Sequence, residues 1–203
     1  MDDIPSPARV RKSTSQAEKA LAFFLRFLDQ PKQVGSIVPS SAFLERRLVR
    51  VGAVAQARTV VELGPGTGGT TQALLKALPR EGRLLAIEID HRLVELVRSN
   101  IRDPRLIAHR GSAEQISAAL GQYALPAPDV VISGIPFSTM PRQVGKKILR
   151  EIRSVLAPGG RFVAYQVRDR VAVLGRDFFG DPESDIELLN VPPIRVWCWR
   201  KPG

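Results

Sequence analysis

Thr59-Val60-Val61-Glu62-Leu63-Gly64-Pro65-Gly66-Thr67-Gly68-Gly69 is the stretch on which the reading of this chain turns. A short apolar run, TVVEL, passes into a glycine-dense turn, and Gly69–Leu78 then reads as a helix. Glycines are required where a turn is tight and a ligand must approach the backbone closely. The helix N-terminus adds N–H groups that have no partner within the helix. The glycines satisfy two templates at once. Gly64, Gly66 and Gly69 fit G-x-G-x-x-G, and Gly64, Gly66 and Gly68 fit G-x-G-x-G.

Outward from this turn the chain alternates. Strands are expected at Arg83–Glu88, Arg105–His109, Asp129–Ser133 and Gly160–Gln166, with helices at His91–Asn100, Ala113–Leu120 and Pro141–Leu156 between them. The rhythm then changes. Ile186–Asn190 and Arg195–Arg200 read as two strands joined by only Val191-Pro192-Pro193-Ile194, a link too short for a parallel crossover, so this pair must be antiparallel. Five βα-type repeats closed by an antiparallel pair predict a single doubly wound α/β sheet of seven strands. Upstream, Ser15–Gln30 reads as an amphipathic helix. Ser15 and Glu18 form a capping box, and the apolar arc that contains Phe23, Phe24 and Phe27 spans roughly 200°. Pro31 ends it, and a second helix runs from a cap at Ser40 or Ser41 to about Val51. Residues 1–52 are therefore read as tail and helices, and 53–203 as the α/β domain.

Composition narrows the class. Leu, Ile, Val and Phe supply 62 of the 203 residues, enough for an ordinary core. A single cysteine, Cys198, excludes an internal disulfide framework, and one cysteine with two histidines argues against a zinc site. No apolar run is long enough to span a bilayer, and Met1-Asp2-Asp3 opens without a secretory signal. The charge is +10, with 30 Lys and Arg against 20 Asp and Glu. Such a surface attracts nucleic acid, anionic membranes or acidic substrates, or is merely soluble.

Glu62 helps to decide between the glycine templates. Glu88 ends the second strand where a ribose-binding carboxylate belongs. Glu62, immediately before the glycines, would repel a pyrophosphate but suits a ligand with an ammonium group and no phosphates. S-adenosylmethionine, with its adenosine, sulfonium and amino-acid end, is such a ligand. A small NAD-binding protein stays open on the glycines alone. The set Glu62, Gly64, Gly66, Gly68 and Glu88 resembles motifs I and II of class I methyltransferases, and the antiparallel last pair and Pro158-Gly159-Gly160 also fit that Rossmann-like family. The resemblance implies cofactor contacts from these residues and from Ile89, Ser112, Ala113 and Ser133. Many members carry Asp at the place of Ser112, which reads equally as a helix N-cap.

Two subfamilies compete for the acceptor. The rRNA adenine dimethyltransferases carry Asn-Leu-Pro-Tyr at the fourth strand end. Here Gly134-Ile135-Pro136-Phe137 keeps the proline and an aromatic ring but lacks the amide, and the long basic C-terminal lobe of those enzymes is missing. The segment from Phe27 to Ser41 (FLDQPKQVGSIVPSS), with Ser133–Phe137, Leu156–Gly160 and Asn190–Pro193, resembles the bacterial phospholipid N-methyltransferases from Phe23 to Arg200. That resemblance implies methylation of phosphatidylethanolamine towards phosphatidylcholine, with Gly134, Ile135, Pro136 and Phe137 at the acceptor. An RNA adenine methyltransferase is the alternative, and a non-catalytic lipid-binding module a weaker one.

Methyl transfer from a sulfonium requires an aligned, neutral amine, whereas a primary ammonium titrates near 10. Neither His91 nor His109 is well placed as a base. Tyr165 is the catalytic candidate: its hydroxyl would orient the amine and its ring would face a methylated ammonium. Its alternative role is packing under the following loop. Arg168 and Arg170 would hold the lipid phosphate, or else form a solvated turn. Residues 9–32 carry six basic and two acidic side chains, so the first helix is expected to dock on the anionic inner face of the membrane, as a peripheral cytoplasmic enzyme would. Packing of that apolar arc on the sheet is the other expectation.

Overall fold

The computed structural model describes residues 41–190 and 193–203. The expected helix Ser15–Gln30 and most of the Phe27–Ser41 segment lie outside the described residues. Seven strands form one sheet: β1 (Thr59–Leu63), β2 (Arg83–Glu88), β3 (Leu106–Arg110), β4 (Val130–Ser133), β5 (Arg161–Gln166), β6 (Glu183–Glu187) and β7 (Ile194–Arg200). Their order is β3-β2-β1-β4-β5-β7-β6, with the first five parallel and β7 antiparallel to both its neighbours. The doubly wound sheet with its antiparallel final pair is thus present. Strand order reverses between β1 and β4, and in such sheets the crevice over the strand ends at that point receives the ligand.

Helices cover both faces. α1 (Ala42–Val51) and α2 (Gly69–Ala77) pack on one face, where Leu44, Leu48, Leu74 and Leu75 meet Val60, Leu84, Val130 and Val163. α4 (Ile116–Gln122), α5 (Arg142–Val155) and α6 (Arg170–Phe179) cover the other, over Val61, Leu85, Val131, Phe162 and Trp199. α3 (His91–Asn100) lies beside β2 and β3. β1 and β4 are buried along their whole length, as parallel strands covered on both faces must be. α1 begins at the Ser41 cap, whose hydroxyl accepts the Leu44 N–H.

Two elements depart from the sequence reading. The sequence reading places no helix between Gln166 and Ile186, where α6 stands with Gly175 near its middle. The glycine is there for space: a Cβ at 175 would lie 2.7 Å from the indole of Trp199, which is itself fully buried. The sixth strand is Glu183–Glu187 rather than Ile186–Asn190. Its acidic residues are unusual for a strand, but Arg47 of α1 pairs with both Asp185 and Glu187. Beyond it the Glu187 carboxylate accepts the Leu189 N–H at 3.0 Å and the Asn190 amide oxygen accepts the Ser41 N–H at 3.2 Å, so the chain turns instead of extending.

Gly175→Ala is expected to lower unfolding free energy by about 1–3 kcal/mol, the usual cost of overpacking against a rigid ring. Urea unfolding monitored by tryptophan fluorescence measures it; an unchanged midpoint would show that Trp199 can give way.

Candidate active site

The site is built on the ends of β1, β2 and β4. Gly64 (φ +76°), Gly66 (φ +56°) and Gly68 (φ +91°) all take left-handed backbone conformations, which explains why this turn is written in glycine. Gly66 differs from the other two in what surrounds it. A Cβ at Gly64 would strike Ile135 at 2.8 Å and one at Gly68 would press on Ile101 at 3.0 Å, whereas a Cβ at Gly66 would meet nothing within 4 Å. The first and third glycines close the turn on the protein itself. Gly66 faces open space.

The carboxylates flanking this turn are buried. Glu62, on the α2 face of β1, is 1 % exposed; its Oε2 accepts the Thr71 hydroxyl at 2.7 Å, and its Oε1 is buried with no hydrogen-bond partner. Burial, reinforced by the nearby Glu88, pushes its pKa up to about 7 against the pull of Thr71. Glu88 is likewise raised, chiefly by burial. Its Oε1 accepts the N–H groups of Ile89 (2.8 Å) and Asp90 (3.1 Å), and its Oε2 accepts the Gly66 N–H at a long 3.4 Å. One oxygen is thus committed to the backbone, and the other is the freer of the two to accept from a ligand. Neither glutamate has an ion-pair partner among the described residues. A site of this sign suits a cation and repels a pyrophosphate.

A cleft walled largely by apolar groups opens beside the turn. Of the sequence-derived candidates, Gly64, Glu88, Ile89, Ser112, Ala113, Ile135 and Pro136 line it. Ser112 also caps a 3₁₀ turn (Ala113–Gln115), its hydroxyl accepting the Glu114 N–H at 3.2 Å. Ser133 is fully buried at the end of β4, and its hydroxyl has no partner. Phe137 does not reach the cleft. It is fully buried in the core beneath α5, where it anchors the loop after β4 rather than facing an acceptor. Sequence reading missed Gln166, whose Nε2 donates to the Ile135 carbonyl at 2.6 Å while its Oε1 is buried without a partner. It also missed Thr71, and Met140, Val144 and Ile148 on the far wall. Met140, Val144 and Ile148 carry no motif signal, since only the packing of α5 and the loop before it brings them to the cleft.

Tyr165 lies behind the glycine turn. A Cβ at Gly134 would come 2.4 Å from its hydroxyl and 2.8 Å from Cζ, and 3.4 Å from the Gly64 carbonyl. The Tyr165 and Thr70 hydroxyls are 3.5 Å apart. The ring therefore occupies the volume that a side chain at 134 would need. Arg168 and Arg170 do not line the cleft; with Arg142, Ser138, Asp169 and Val173 they line a second depression, and the 136–142 loop contributes to the walls of both. Neither histidine reaches the turn: His91 opens α3, and His109 faces the Tyr123 hydroxyl at 3.2 Å.

The raised Glu62 pKa has a consequence for stability. The native state holds this proton up to about pH 7, whereas the unfolded carboxyl releases it near 4.5, so Glu62 weakens the cofactor-free fold as pH rises through that window. Glu62→Gln is expected to raise the melting temperature at pH 8, by up to about 3 kcal/mol of stability, and to change it little at pH 5. Equal effects of the substitution at both pH values in thermal unfolding would show that the carboxyl is ordinary.

Comparison with known proteins agrees with this geometry. The methyltransferase domain family matches residues 60–160. The ornithine lipid N-methyltransferase of Singulisphaera acidiphila is 30% identical over 185 residues, covering 88% of this chain and 95% of its own. The ribosomal RNA small subunit methyltransferase A of Caulobacter vibrioides is 36% identical over 95 residues, but the match spans only 46% of this chain and 34% of that protein. Among solved structures, the N-methyltransferase NodS of Bradyrhizobium japonicum in complex with S-adenosyl-L-homocysteine superposes with a TM-score of 0.71 at 16% identity, over 91% of this chain and 99% of its own. With the glycine turn, its paired carboxylates and the near full-length relative all in agreement, the chain belongs to the class I S-adenosylmethionine-dependent methyltransferases, in the family of the ornithine lipid N-methyltransferase.

Proposed function

We propose that this protein N-methylates the amine headgroup of a membrane lipid, with phosphatidylethanolamine as substrate and phosphatidylcholine as the end of the series. The observation that carries this reading over adenine methylation is the contact between Gly134 and Tyr165. A residue that holds a flipped adenine from position 134 needs a side chain there, and the tyrosine ring takes that room. The near full-length likeness to a lipid N-methyltransferase supports the same acceptor class.

S-adenosylmethionine, when bound, supplies a methyl group on a positively charged sulfur. The chain provides its surroundings. Glu62 Oε1, buried and without a partner, fits the ammonium end, and Glu88 Oε2 fits the ribose hydroxyls. Gly66 leaves its space to the cofactor, while Gly64 and Gly68 hold the turn that exposes it. Ser112 and Ala113 form the wall for the adenine, with Ile89 beside it. Ser133 closes the floor, and the Gly134-Ile135-Pro136 edge borders the acceptor. The Tyr165 hydroxyl orients the incoming amine, whose proton is lost to water as desolvation favours the neutral form. Arg168 and Arg170 hold the anionic group of the headgroup as charge-assisted donors. Peripheral attachment to the inner membrane face through the Ser15–Gln30 helix completes the proposal.

For the cofactor, Glu88→Ala is expected to weaken binding roughly ten- to 150-fold, the loss of about 1.5–3 kcal/mol of hydrogen bonding to a charged group. Gly66→Val should abolish binding, because a β-branched side chain both strains the left-handed backbone of the turn and fills the open space beside it. Calorimetry on the folded variants measures both, and unchanged affinity in both would remove the assignment.

For the acceptor, labelled S-adenosylmethionine offered with phosphatidylethanolamine vesicles and, separately, with ribosomal RNA should place label in lipid alone. Gly134→Asn should reduce lipid methylation at least tenfold by displacing Tyr165. Label in RNA but not in lipid would overturn the reading.

A further inference from the structure

Five of the eight large apolar side chains that stand exposed among the described residues, Val167, Val173, Ile186, Leu188 and Leu189, fall within one stretch of 23 residues. Leu188 and Leu189, in the β6–β7 turn, are 71 % and 61 % exposed. Scattered surface leucines need no explanation, but a clustered set does.

Register places the cluster at the edge of the sheet onto which the cleft opens, beyond β5 and β7 from it. β6 and β5 are both antiparallel to β7, so they run in the same direction and end at the same edge of the sheet. Arg195 of β7 pairs with Gln166 on one side and Ile186 on the other, so Ile186 and Arg195 share the α6 face. Val167 follows β5 at that edge, and Val173 is one turn into α6 beside Arg170.

The charges sort by face. Asp185 and Glu187 alternate to the opposite side of β6, where Arg47 pairs with both, and Glu183 shares that side. On the α6 face, Arg168, Arg170 and Arg195 have no ion-pair partner among the described residues; the nearby carboxylate is Asp169, in the same depression as Arg168 and Arg170. Exposed aliphatic side chains interspersed with unpaired arginines complement a bilayer surface, whose interior takes the former and whose anionic headgroups take the latter.

We propose that the Ile186–Leu189 turn and the start of α6 form a docking surface for an anionic lipid bilayer, with Leu188 and Leu189 entering the acyl boundary. The surface is drawn from other residues than the Ser15–Gln30 segment. It rests on the lipid-methylation reading only in its purpose, which is to bring the membrane to the edge where the cofactor cleft opens.

The test uses the full chain and vesicles of phosphatidylcholine with or without phosphatidylglycerol. The wild type should partition onto the anionic vesicles, and Leu188→Asp/Leu189→Asp should partition at least tenfold more weakly. That double variant should still bind cofactor and still methylate a short-chain, water-soluble phosphatidylethanolamine. Independently, an environment-sensitive dye on Leu189→Cys, with Cys198 replaced by Ala, should shift to the blue on anionic vesicles and stay unshifted on neutral ones. Equal partitioning of wild type and double variant, or a dye already buried without vesicles, overturns the docking surface while leaving lipid methylation standing. Failure of the wild type to methylate even the soluble lipid overturns the functional reading instead.

Discussion

The burial of two carboxylates beside a left-handed glycine turn is the constraint on which this structure depends. Glu62 and Glu88 sit at the ends of adjacent strands, out of solvent, and neither is neutralised by a cation of the described chain. Removing a carboxylate from water without a partner is costly, and here the cost appears as raised pKa values and an unpartnered Glu62 oxygen. A fold tolerates such a feature where a ligand completes it. A cofactor with a sulfonium and an ammonium group does so, and a pyrophosphate cannot.

The rest of the architecture holds that feature in place. β1 lies between β2 and β4, so the two glutamates and the Ser133–Pro136 edge converge where strand order reverses. Thr71, from the first turn of α2, reaches back to Glu62, and the backbone after β2 wraps one oxygen of Glu88. Gln166, from β5, ties down the Ile135 carbonyl and so fixes the loop that forms the opposite wall. On the outer edge, Arg47 binds β6 to α1 and leaves Ile186 on the other face of that strand, beside Arg195 of β7.

In the proposed reading, acceptor choice follows from volume as much as from hydrogen bonding. Glycine at 134 is the absence of an amide, and that alone says little. Beside the Tyr165 ring it becomes a reserved space, because the aromatic side chain from β5 enters where a side chain just after β4 would otherwise project. A pair of substitutions on two strands, rather than one motif position, separates a lipid amine from a flipped base in this reading.

Much of this was legible in the sequence. The TVVEL-glycine junction, the alternation of strands and helices and the short link before the last strand determine the doubly wound sheet and its antiparallel end, because local spacing leaves few ways to connect such elements. The spacing of Glu62, the glycines and Glu88 likewise brings two buried carboxylates to the glycine turn, since strand–turn–helix geometry is local. Phe137 and Gln166 show the limit of that logic. One reads as a site residue and is core, and the other reads as an ordinary strand residue and braces the cleft. Helix α6 and the acidic strand β6 were illegible for the same reason. Gly175 is explained only by Trp199 and the acidic strand only by Arg47, both distant in sequence. What a residue contributes through its own backbone is written locally. What it contributes by filling or leaving space against a distant neighbour is decided only when the sheet closes.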